Sequence, residues 1–287
     1  MAEASDSAAA KLTGIVGSAA QVAGSLSPSI HNAAFNALEM DWEYRLFGMD
    51  SASAVKEIRN LVSGGVRGLN VTLPHKVLAM EAMDELSESA SQIGALNTVE
   101  VRGDRLVGWN TDGEGLVRFL RMDVGAKLEG AAALVIGAGG SARAAVFALA
   151  TAGAASVHVL ARDQAKAAAL VSLADGASFE AACLGRYSAE RVEQADVIIN
   201  ATPVGQAGEQ AAIDVALIRP DAVVVDMVYR PPVTPLIEGA RSRGAIAHSG
   251  LGMLLHQAVL AFEIWTGVQP PIDVMSAAAL AELKKNP

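Results

Sequence analysis

The chain has 287 residues, 52 % of them hydrophobic and 18 % charged, and its formal net charge is −9. This length is sufficient for two domains with separate cores. The negative charge argues against nucleic acid or an anionic membrane as the main partner, and no apolar run reaches the roughly 20 residues of a membrane span. A single cysteine, Cys183, excludes an intramolecular disulfide, and the N-terminus lacks the features of a signal peptide. We therefore expect a cytoplasmic protein.

In the first half of the chain, strand-like runs alternate with segments of helical periodicity, which predicts an α/β fold with largely parallel strands. Strands are predicted at residues 12–17, 44–49 and 66–71, and helices at residues 27–40, 54–62 and from Pro74 to about residue 86. We expect Ser27 to cap the first helix, with Pro28 at its first position. Residues 96–102 and 106–109, separated by a Gly-Asp pair, predict a hairpin that makes this first sheet mixed.

The second half begins with a helix from Gly113 and a polar turn at residues 123–130. Strands are then predicted at residues 133–136, 156–160, 197–200, 222–227 and 245–248, and helices at residues 141–152, 164–173 and 235–243. This alternation is typical of a doubly wound, Rossmann-type sheet. Two last helices, residues 251–266 and 272–283, should return to the first domain. We therefore predict a first domain at 1–112, a doubly wound domain at 113–248 and returning helices at 249–287. The motifs described next indicate substrate binding and catalysis in the first domain and dinucleotide binding in the second.

A glycine-rich turn follows the first strand of the second half. Its residues are Gly137, Ala138, Gly139, Gly140, Ser141 and Ala142. They fit the pattern Gly-x-Gly-x-x-Gly/Ala, in which the glycines permit a tight turn and close approach of a diphosphate, and the last small residue lets helix pack on strand. The amides of the next helix would hold the diphosphate. The alternative is a tight turn that binds no ligand.

The residues after the next strand bear on the choice of cofactor. An acid there binds the ribose 2′-hydroxyl of NAD, whereas an arginine favours the 2′-phosphate of NADP. This chain has Arg162 followed by Asp163. We expect NADP, with Arg162 on its phosphate. NAD stays the alternative because Asp163 would repel a phosphate if it pointed inward, and Arg162 could also be a merely exposed helix-start residue.

Two turns that leave predicted strands concentrate polar side chains. The segments Asn70-Val-Thr-Leu-Pro-His-Lys76 and Gly108-Trp-Asn-Thr-Asp-Gly113 together offer a lysine, a carboxylate and several neutral hydrogen-bonding groups. Such groups can hold a small polyhydroxylated acid and move a proton on or off one of its oxygens. Taken singly, Lys76 could be a solvated helix residue and Asp112 the N-cap of the helix at Gly113. The two motifs are therefore informative mainly as a pair.

Seven motifs along the chain together resemble the shikimate dehydrogenase family. They are Ser25-Leu-Ser27-Pro, Asn70 to Lys76, Gly94-Ala-Leu-Asn97-Thr, Asn110-Thr-Asp112-Gly, the glycine-rich turn, Asn200-Ala-Thr202-Pro and Gly250-Leu-Gly-Met-Leu-Leu-His-Gln257. The resemblance extends from about Gly14 to Gly267. It implies a reversible, NADPH-dependent reduction of 3-dehydroshikimate to shikimate in the chorismate pathway of aromatic amino acid biosynthesis.

The resemblance also implies roles for individual residues. Lys76 and Asp112 would be the catalytic pair. The residues implied to bind substrate are Ser25, Ser27, Asn70, Thr72, Asn97, Tyr229 and Gln257. The residues implied to bind cofactor are Gly137, Ala138, Gly139, Gly140, Ser141, Ala142, Arg162, Asn200, Thr202, Met227 and Gly250. We expect no metal site, and a monomer or homodimer.

Two departures from the family pattern keep alternatives open. The position before the first serine is Gly24 where family members commonly carry His, and Ala161-Arg-Asp163 stands where NADP sites often read Asn-Arg-Thr. The nearest alternative is a quinate or quinate/shikimate dehydrogenase that uses NAD, and an aminoshikimate-type enzyme is another. A non-catalytic, nucleotide-binding regulator on the same scaffold is the alternative from a different class. A methylene-tetrahydrofolate dehydrogenase type fits less well, because the serine and Gln257 motifs do not suit a pterin.

Overall fold

Two six-stranded sheets make up the fold, with helices on their faces. The computed structural model describes residues 10–184 and 189–285, so most of the N-terminal segment discussed above lies outside the described residues. The predicted α/β class is confirmed. In the described ranges no helix is both long and apolar enough to cross a bilayer.

The first sheet is mixed and has the strand order β2-β1-β3-β5-β6-β4. Its strands are β1 (Lys11–Gly17), β2 (Trp42–Gly48), β3 (Val66–Val71), β4 (Glu85–Leu86), β5 (Thr98–Arg102) and β6 (Arg105–Trp109). The first three run parallel to one another, whereas β5 is antiparallel to both β3 and β6. The predicted hairpin is therefore present. Strand β1 is buried without interruption from Thr13 to Gly17, as expected for a parallel strand covered on both faces of its sheet.

The second sheet is wholly parallel and has the order β12-β11-β10-β7-β8-β9. Its strands are β7 (Ala132–Ile136), β8 (Ser156–Ala161), β9 (Ser178–Cys183), β10 (Val197–Asn200), β11 (Val223–Asp226) and β12 (Ile246–Ser249). The chain leaves β7 toward β8 on one side and later returns to β10 on the other. The carboxyl end of β7 is therefore the point where strand order reverses, which is where dinucleotides bind in such sheets.

Eleven α-helices are assigned within residues 10–184 and 189–285. They are α1 (Ala19–Ala23), α2 (Ser27–Ala37), α3 (Ala54–Ser63), α4 (Glu88–Ile93), α5 (Asp112–Arg118), α6 (Gly140–Thr151), α7 (Gln164–Ala168), α8 (Ala189–Gln194), α9 (Pro235–Ser242), α10 (Leu251–Thr266) and α11 (Ile272–Lys285). A π-helical turn, Phe119–Asp123, continues α5. Short 3₁₀ turns lie at Leu78–Ala82, Val171–Leu173 and Val215–Leu217.

The two C-terminal helices return to the first sheet, as predicted. Phe262 of α10 packs against Phe35 of α2 with ring centroids 4.8 Å apart, and Trp265 donates a hydrogen bond to the Val99 carbonyl at 3.0 Å. Helices α10 and α5 also approach closely, because a Cβ on Gly115 would lie 2.8 Å from the backbone nitrogen of Gln257. This packing brings the start of α5 and the middle of α10 to the same cleft.

The predicted helix from Pro74 to residue 86 is wrong. Only the 3₁₀ turn Leu78–Ala82 forms there, followed by the short strand β4. The backbone groups that a helix would use are bonded to the hairpin instead: the Lys76 carbonyl accepts from the Leu96 amide at 2.9 Å, and the Asp84 amide donates to the Leu106 carbonyl at 2.9 Å. Pairing with the sheet therefore overrides helical periodicity in this segment.

The predicted N-cap at Ser27 is also wrong. Leu26 occupies the cap position with helical dihedral angles, and no side chain caps α2. Ser27 is the first residue of the helix, and its amide donates to Ser25 Oγ at 3.2 Å. At the other end the helix stops at Ala37, before the predicted residue 40, and Glu39 has a left-handed φ of 52°.

Other differences concern short elements. The predicted helix at 164–173 divides into α7 and a 3₁₀ turn. Five further elements were not predicted: α1, α4, α8, β4 and β9. All of these have six residues or fewer, which is too short for a period to stand out from neighbouring turns.

Candidate active site

A cavity of about 290 Å³ opens between the carboxyl ends of the parallel strands of the two sheets. Both halves of the chain contribute to its lining. The residues singled out from sequence that line it are Ser25, Ser27, Asn70, Thr72, Lys76, Asn97, Asp112, Ser141, Thr202, Met227, Tyr229, Gly250 and Gln257. The catalytic and substrate-binding candidates thus converge on one cavity, although they are spread over more than 230 positions of sequence (25 to 257).

The charged centre of the cavity is a lysine–aspartate pair. Lys76 Nζ donates to Asp112 Oδ2 at 2.5 Å, and the two residues are only 8 % and 5 % exposed. Asp112 does not cap α5: it is the first residue of the helix, the cap position is Thr111, and the amides of Asp112 and Gly113 donate to Asn110 Oδ1. The Asp112 carboxylate is therefore available to hold the ammonium group in place.

Asn97 connects this pair to the rest of the cleft. Its amide nitrogen donates to Asp112 Oδ1 at 2.9 Å, to Thr111 Oγ1 at 2.8 Å and to Gln257 Oε1 at 3.2 Å, while its Oδ1 accepts from the Thr111 amide at 2.7 Å. The hydrogen bonds of this one side chain thereby connect three elements of the fold: the start of β5, the start of α5 and α10. Both oxygens of the Asp112 carboxylate accept hydrogen bonds, one from Lys76 and one from Asn97, so the carboxylate is fixed in orientation.

Asn70 is hydrogen-bonded to Tyr44, an aromatic residue that was not predicted to belong to the site. The Tyr44 hydroxyl donates to Asn70 Oδ1 at 2.7 Å, and Asn70 Nδ2 donates to Thr98 Oγ1 at 3.1 Å. Burial raises the pKa of the Tyr44 phenol well above its ordinary value, so the hydroxyl stays protonated. His31 stacks on Tyr44 with ring centroids 4.5 Å apart and is fully buried. No motif marks Tyr44, because its role arises only when β2 and β3 both flank β1.

Three histidines close to the predicted motifs lie outside the lining of the cavity. Burial lowers the pKa of His31 to about 3, so this residue is neutral. His75 lies 3.1 Å from the Met49 carbonyl through Nε2, and His256 lies 3.1 Å from both carboxylate oxygens of Asp123. All three therefore contact protein groups or aromatic rings rather than the cavity.

The glycine-rich turn forms the side of the cleft where a nucleotide is expected, called the nucleotide side below. Gly137 has a φ of +120°, a conformation that side chains rarely adopt, and α6 starts at Gly140 without a side-chain cap. A Cβ on Gly139 would meet no atom within 4 Å, so the space beside this backbone is open. Ala142 is fully buried against the sheet. Uncapped helix amides beside open space fit the diphosphate of a dinucleotide.

The turn also touches the Lys76–Asp112 pair. Lys76 Nζ lies 3.3 Å from Ser141 Oγ, and a Cβ on Gly140 would come within 3.2 Å of the Lys76 side chain. Ser141 is the member of the turn that lines the cavity. The lysine therefore stands where the substrate side and the nucleotide side of the cleft meet.

Asn200 does not line the cavity, in contrast to the role that the resemblance implied. It is 2 % exposed, its Nδ2 donates to Asp226 Oδ1 at 2.9 Å, and its Oδ1 accepts from Thr202 Oγ1 at 2.6 Å. Asp226 in turn accepts from the Thr234 hydroxyl at 2.6 Å. Burial raises the pKa of Asp226, against the effect of these donors. Asn200 thus shapes the loop that presents Thr202, instead of facing the cleft itself.

Met227, Tyr229 and Gly250 form the wall opposite the glycine-rich turn. A Cβ on Gly250 would lie 2.3 Å from the Met227 carbonyl oxygen, so only glycine permits this close approach of the two backbone segments. Burial raises the pKa of the Tyr229 phenol. The two segments that follow β11 and β12 are therefore packed directly against each other, and Tyr229 between them lines the cavity.

Arg162 lies at the outer end of the nucleotide side. It is exposed and follows β8 directly. The neighbouring Asp163 caps α7, accepting from the Lys166 amide at 3.1 Å, and lies 3.9 Å from Lys166 Nζ. The Asp163 carboxylate is turned to the start of α7. It is therefore bonded to the helix and is not directed at the ribose of a bound cofactor.

Comparisons with known proteins support the same interpretation. Family models match in three parts: a shikimate dehydrogenase substrate-binding domain at residues 17–99, a shikimate/quinate 5-dehydrogenase at 120–227 and a shikimate 5′-dehydrogenase C-terminal domain at 250–280. A relative from Citrifermentans bemidjiense, named shikimate dehydrogenase (NADP(+)), is 43 % identical over 95 % of this chain and 96 % of its own.

Two solved structures are informative. Shikimate 5-dehydrogenase from Thermus thermophilus, in complex with NADP(H) and shikimate, has a TM-score of 0.84 at 34 % identity, covering 95 % of this chain and 99 % of its own. Quinate dehydrogenase from Corynebacterium glutamicum, in complex with NAD, has a TM-score of 0.84 at 31 % identity, covering 95 % and 99 %. Overall shape thus does not separate the two activities, but the family is clear from identity and family models. The chain belongs to the shikimate dehydrogenase family.

Proposed function

We propose that this enzyme is an NADP-dependent shikimate dehydrogenase that reversibly reduces 3-dehydroshikimate to shikimate. The observation that carries the proposal is the buried Lys76–Asp112 pair, at 2.5 Å, in a cavity that also reaches the glycine-rich turn through Ser141. This is one acid–base group set between a polar pocket and a dinucleotide site. An alcohol–ketone conversion with a nicotinamide needs that combination.

The proton step falls to Lys76. As an ammonium group it donates a proton to the ketone oxygen during reduction and takes it back during oxidation, while NADPH supplies the hydride. Asp112 and Asn97 keep the ammonium group aimed at one point of the cavity. A fixed donor of this kind contributes about 10²- to 10⁴-fold to the rate.

The remaining side chains hold the substrate. Ser25 and Ser27 would bind its carboxylate, and Asn70, Thr72, Asn97 and Gln257 its hydroxyl groups. Ser27 is well suited because it caps no helix, and Asn70 because Tyr44 and Thr98 fix its amide plane. On the nucleotide side, Arg162 would hold the 2′-phosphate and the amides of α6 the diphosphate.

Quinate is the competing substrate. It carries one more hydroxyl group, on the carbon that bears the carboxylate, so the pocket around Ser25 and Ser27 decides between the two acids. Two small serines suit shikimate, and Arg162 with a helix-capping Asp163 suits NADP. Both features favour the biosynthetic reaction. We expect the enzyme to act in the cytoplasm, as a monomer or homodimer.

The test is a set of initial rates with purified protein. Shikimate and quinate are each oxidised with NADP and with NAD, and the absorbance of the reduced cofactor is followed. The Lys76→Met protein, purified in parallel, reveals any contaminating host dehydrogenase. We expect the highest kcat/KM with shikimate and NADP. A higher value with quinate and NAD would assign the catabolic reaction, and absence of turnover with all four pairs would favour the non-catalytic regulator.

A further inference from the structure

Arg230 lies at the mouth of the cavity, directly after Tyr229. Its Nη1 atom is 4.0 Å from the position that a Cβ on Gly24 would take. Gly24 immediately precedes Ser25, so the guanidinium group reaches from the nucleotide half of the cleft to the serine turn of the substrate half. The absence of a side chain at Gly24 leaves room for this approach.

The guanidinium group has no acidic partner. Arg230 Nε is buried without a hydrogen-bond partner, and no carboxylate within residues 10–184 and 189–285 forms an ion pair with Arg230. Many other described arginines do pair with acids, for example Arg219 with Asp196 and Asp221. A buried donor without a partner costs free energy unless a ligand or water satisfies it.

The balance of charges in the cavity also leaves the positive charge of Arg230 without an acidic partner. Its lining contains three charged residues: Lys76, Asp112 and Arg230. Because Lys76 and Asp112 neutralise each other at 2.5 Å, the charge of Arg230 is the uncompensated one. The mouth of the cavity beside Ser25 and Ser27 is therefore a place for an anion, and a planar guanidinium group matches the two oxygens of a carboxylate.

We propose that Arg230 binds the substrate carboxylate together with Ser25 and Ser27. The proposal rests on the proposed function, since it concerns the acid group of the substrate assigned there. The serines supply neutral hydrogen bonds, and Arg230 supplies the charge that makes an acid bind better than a neutral analogue. Arg230 is thus a determinant of specificity that comes from the other half of the cleft.

The first test compares Arg230→Met, Arg230→Lys and a control, Arg243→Met. Arg243 is exposed at the end of α9, and its loss also removes one positive charge. In Arg230→Met we expect the KM for shikimate to rise about tenfold or more, with kcat and the KM for NADP within about threefold. Arg230→Lys should recover part of the loss, and Arg243→Met should behave as wild type. An unchanged KM for shikimate, or a rise in the KM for NADP instead, would overturn the proposal.

The second test separates carboxylate binding from a merely structural role. The methyl ester of shikimate has no negative charge, so the ratio of kcat/KM for acid over ester measures recognition of that charge. We expect this ratio to fall about tenfold in Arg230→Met. An unchanged ratio would show that Arg230 only packs at the mouth and would contradict the proposal.

Failure of the proposed function and failure of the proposed role of Arg230 give different results. Wild-type turnover of shikimate decides the proposed function, whereas the acid-to-ester ratio decides the role of Arg230. If the wild-type enzyme prefers quinate, the same ratio is measured with quinate and its ester. If it turns over neither acid, calorimetric titration of shikimate into wild type and Arg230→Met decides, and equal affinities would overturn the proposal.

Discussion

The two halves of the cleft are built by different means. On the substrate side, buried polar side chains bond to one another, as in the contacts of Asn97 with Asp112 and of Tyr44 with Asn70. On the nucleotide side, the surface proposed to bind the cofactor is mostly backbone: an uncapped helix start and a glycine, Gly139, beside open space. Substitutions that remove side-chain atoms should therefore impair catalysis or binding on the substrate side. Substitutions that add side-chain atoms should impair cofactor binding on the nucleotide side.

The largest effect is expected at Lys76. Lys76→Met keeps an unbranched side chain one atom shorter but removes the proton donor, so kcat should fall about 10²- to 10⁴-fold, while the KM for shikimate stays within a few-fold. Steady-state kinetics measures both. Lys56→Met, on the exposed face of α3, is the matched control and should have wild-type rates. Wild-type turnover in Lys76→Met would remove the lysine from the proposed mechanism.

The same substitution leaves the Asp112 charge buried without its partner, which typically costs about 3–5 kcal/mol of stability. The double variant Lys76→Met with Asp112→Asn removes that charge. It should recover much of the free energy of unfolding in urea without recovering kcat. Recovery of activity together with stability would mean that the loss in the single variant came from unfolding.

A smaller effect is expected at Arg162, whose side chain is proposed to bind the 2′-phosphate of NADP. Arg162→Met removes a charge-assisted hydrogen bond, so the KM for NADP should rise about tenfold to a hundredfold, with the KM for NAD nearly unchanged. Asp163→Ala removes the cap of α7 and should lower stability by about 1 kcal/mol without raising the KM for NADP. Equal effects of Arg162→Met on both cofactors would contradict the phosphate assignment.

Gly139→Ala tests the backbone surface directly. Gly139 has a φ of −85°, and an added Cβ meets no protein atom within 4 Å, so the variant should fold. The methyl group would nevertheless occupy space beside the helix start, and the KM for NADP should rise about tenfold. The KM for shikimate serves as the internal control and should not change. An unaltered KM for NADP would place the diphosphate elsewhere.

The smallest effect on catalysis is expected at His31, behind the substrate side. Burial lowers its pKa to about 3, compared with about 6.5 in the unfolded chain. Between these values the unfolded state binds a proton that the folded state does not, so stability falls as the pH decreases below about 6.5. At about pH 5 the loss from this residue is about 2 kcal/mol.

His31→Phe should remove that loss while an aromatic ring still stacks on Tyr44. The measurement is urea unfolding of both proteins at about pH 7 and about pH 5. The stability difference between the variant and the wild type should shift in favour of the variant at the lower pH. The same acid sensitivity in both proteins would show that His31 takes up its proton in the folded state.

Local patterns predicted much of this molecule. Hydrophobic periodicity and glycine spacing predict the alternation of strands and helices. The turns that end β3 and β7 lie where the motifs indicate. Lys76 and Asp112 meet because both follow strands of one sheet. These features depend on a few neighbouring residues, and short segments are sufficient to recognise them.

Features that depend on distant partners could not be predicted in this way. The segment after Pro74 is not helical because its backbone bonds to the hairpin, and Asn200 turns inward because Asp226 accepts its amide. Tyr44 and Arg230 carry no motif, and they gain their roles only when strands and loops from different halves meet. Tertiary hydrogen bonds decide such positions, so a single sequence does not reveal them.

The most direct test of the central claim is a single-turnover measurement of hydride transfer in Lys76→Met. Enzyme with NADPH is mixed rapidly with excess 3-dehydroshikimate, and the loss of reduced-nicotinamide absorbance is followed in variant and wild type. If Lys76 is the proton donor, this chemical step slows by about a hundredfold or more, while NADPH binds to the variant as to the wild type. A hydride-transfer step at the wild-type rate would contradict the account.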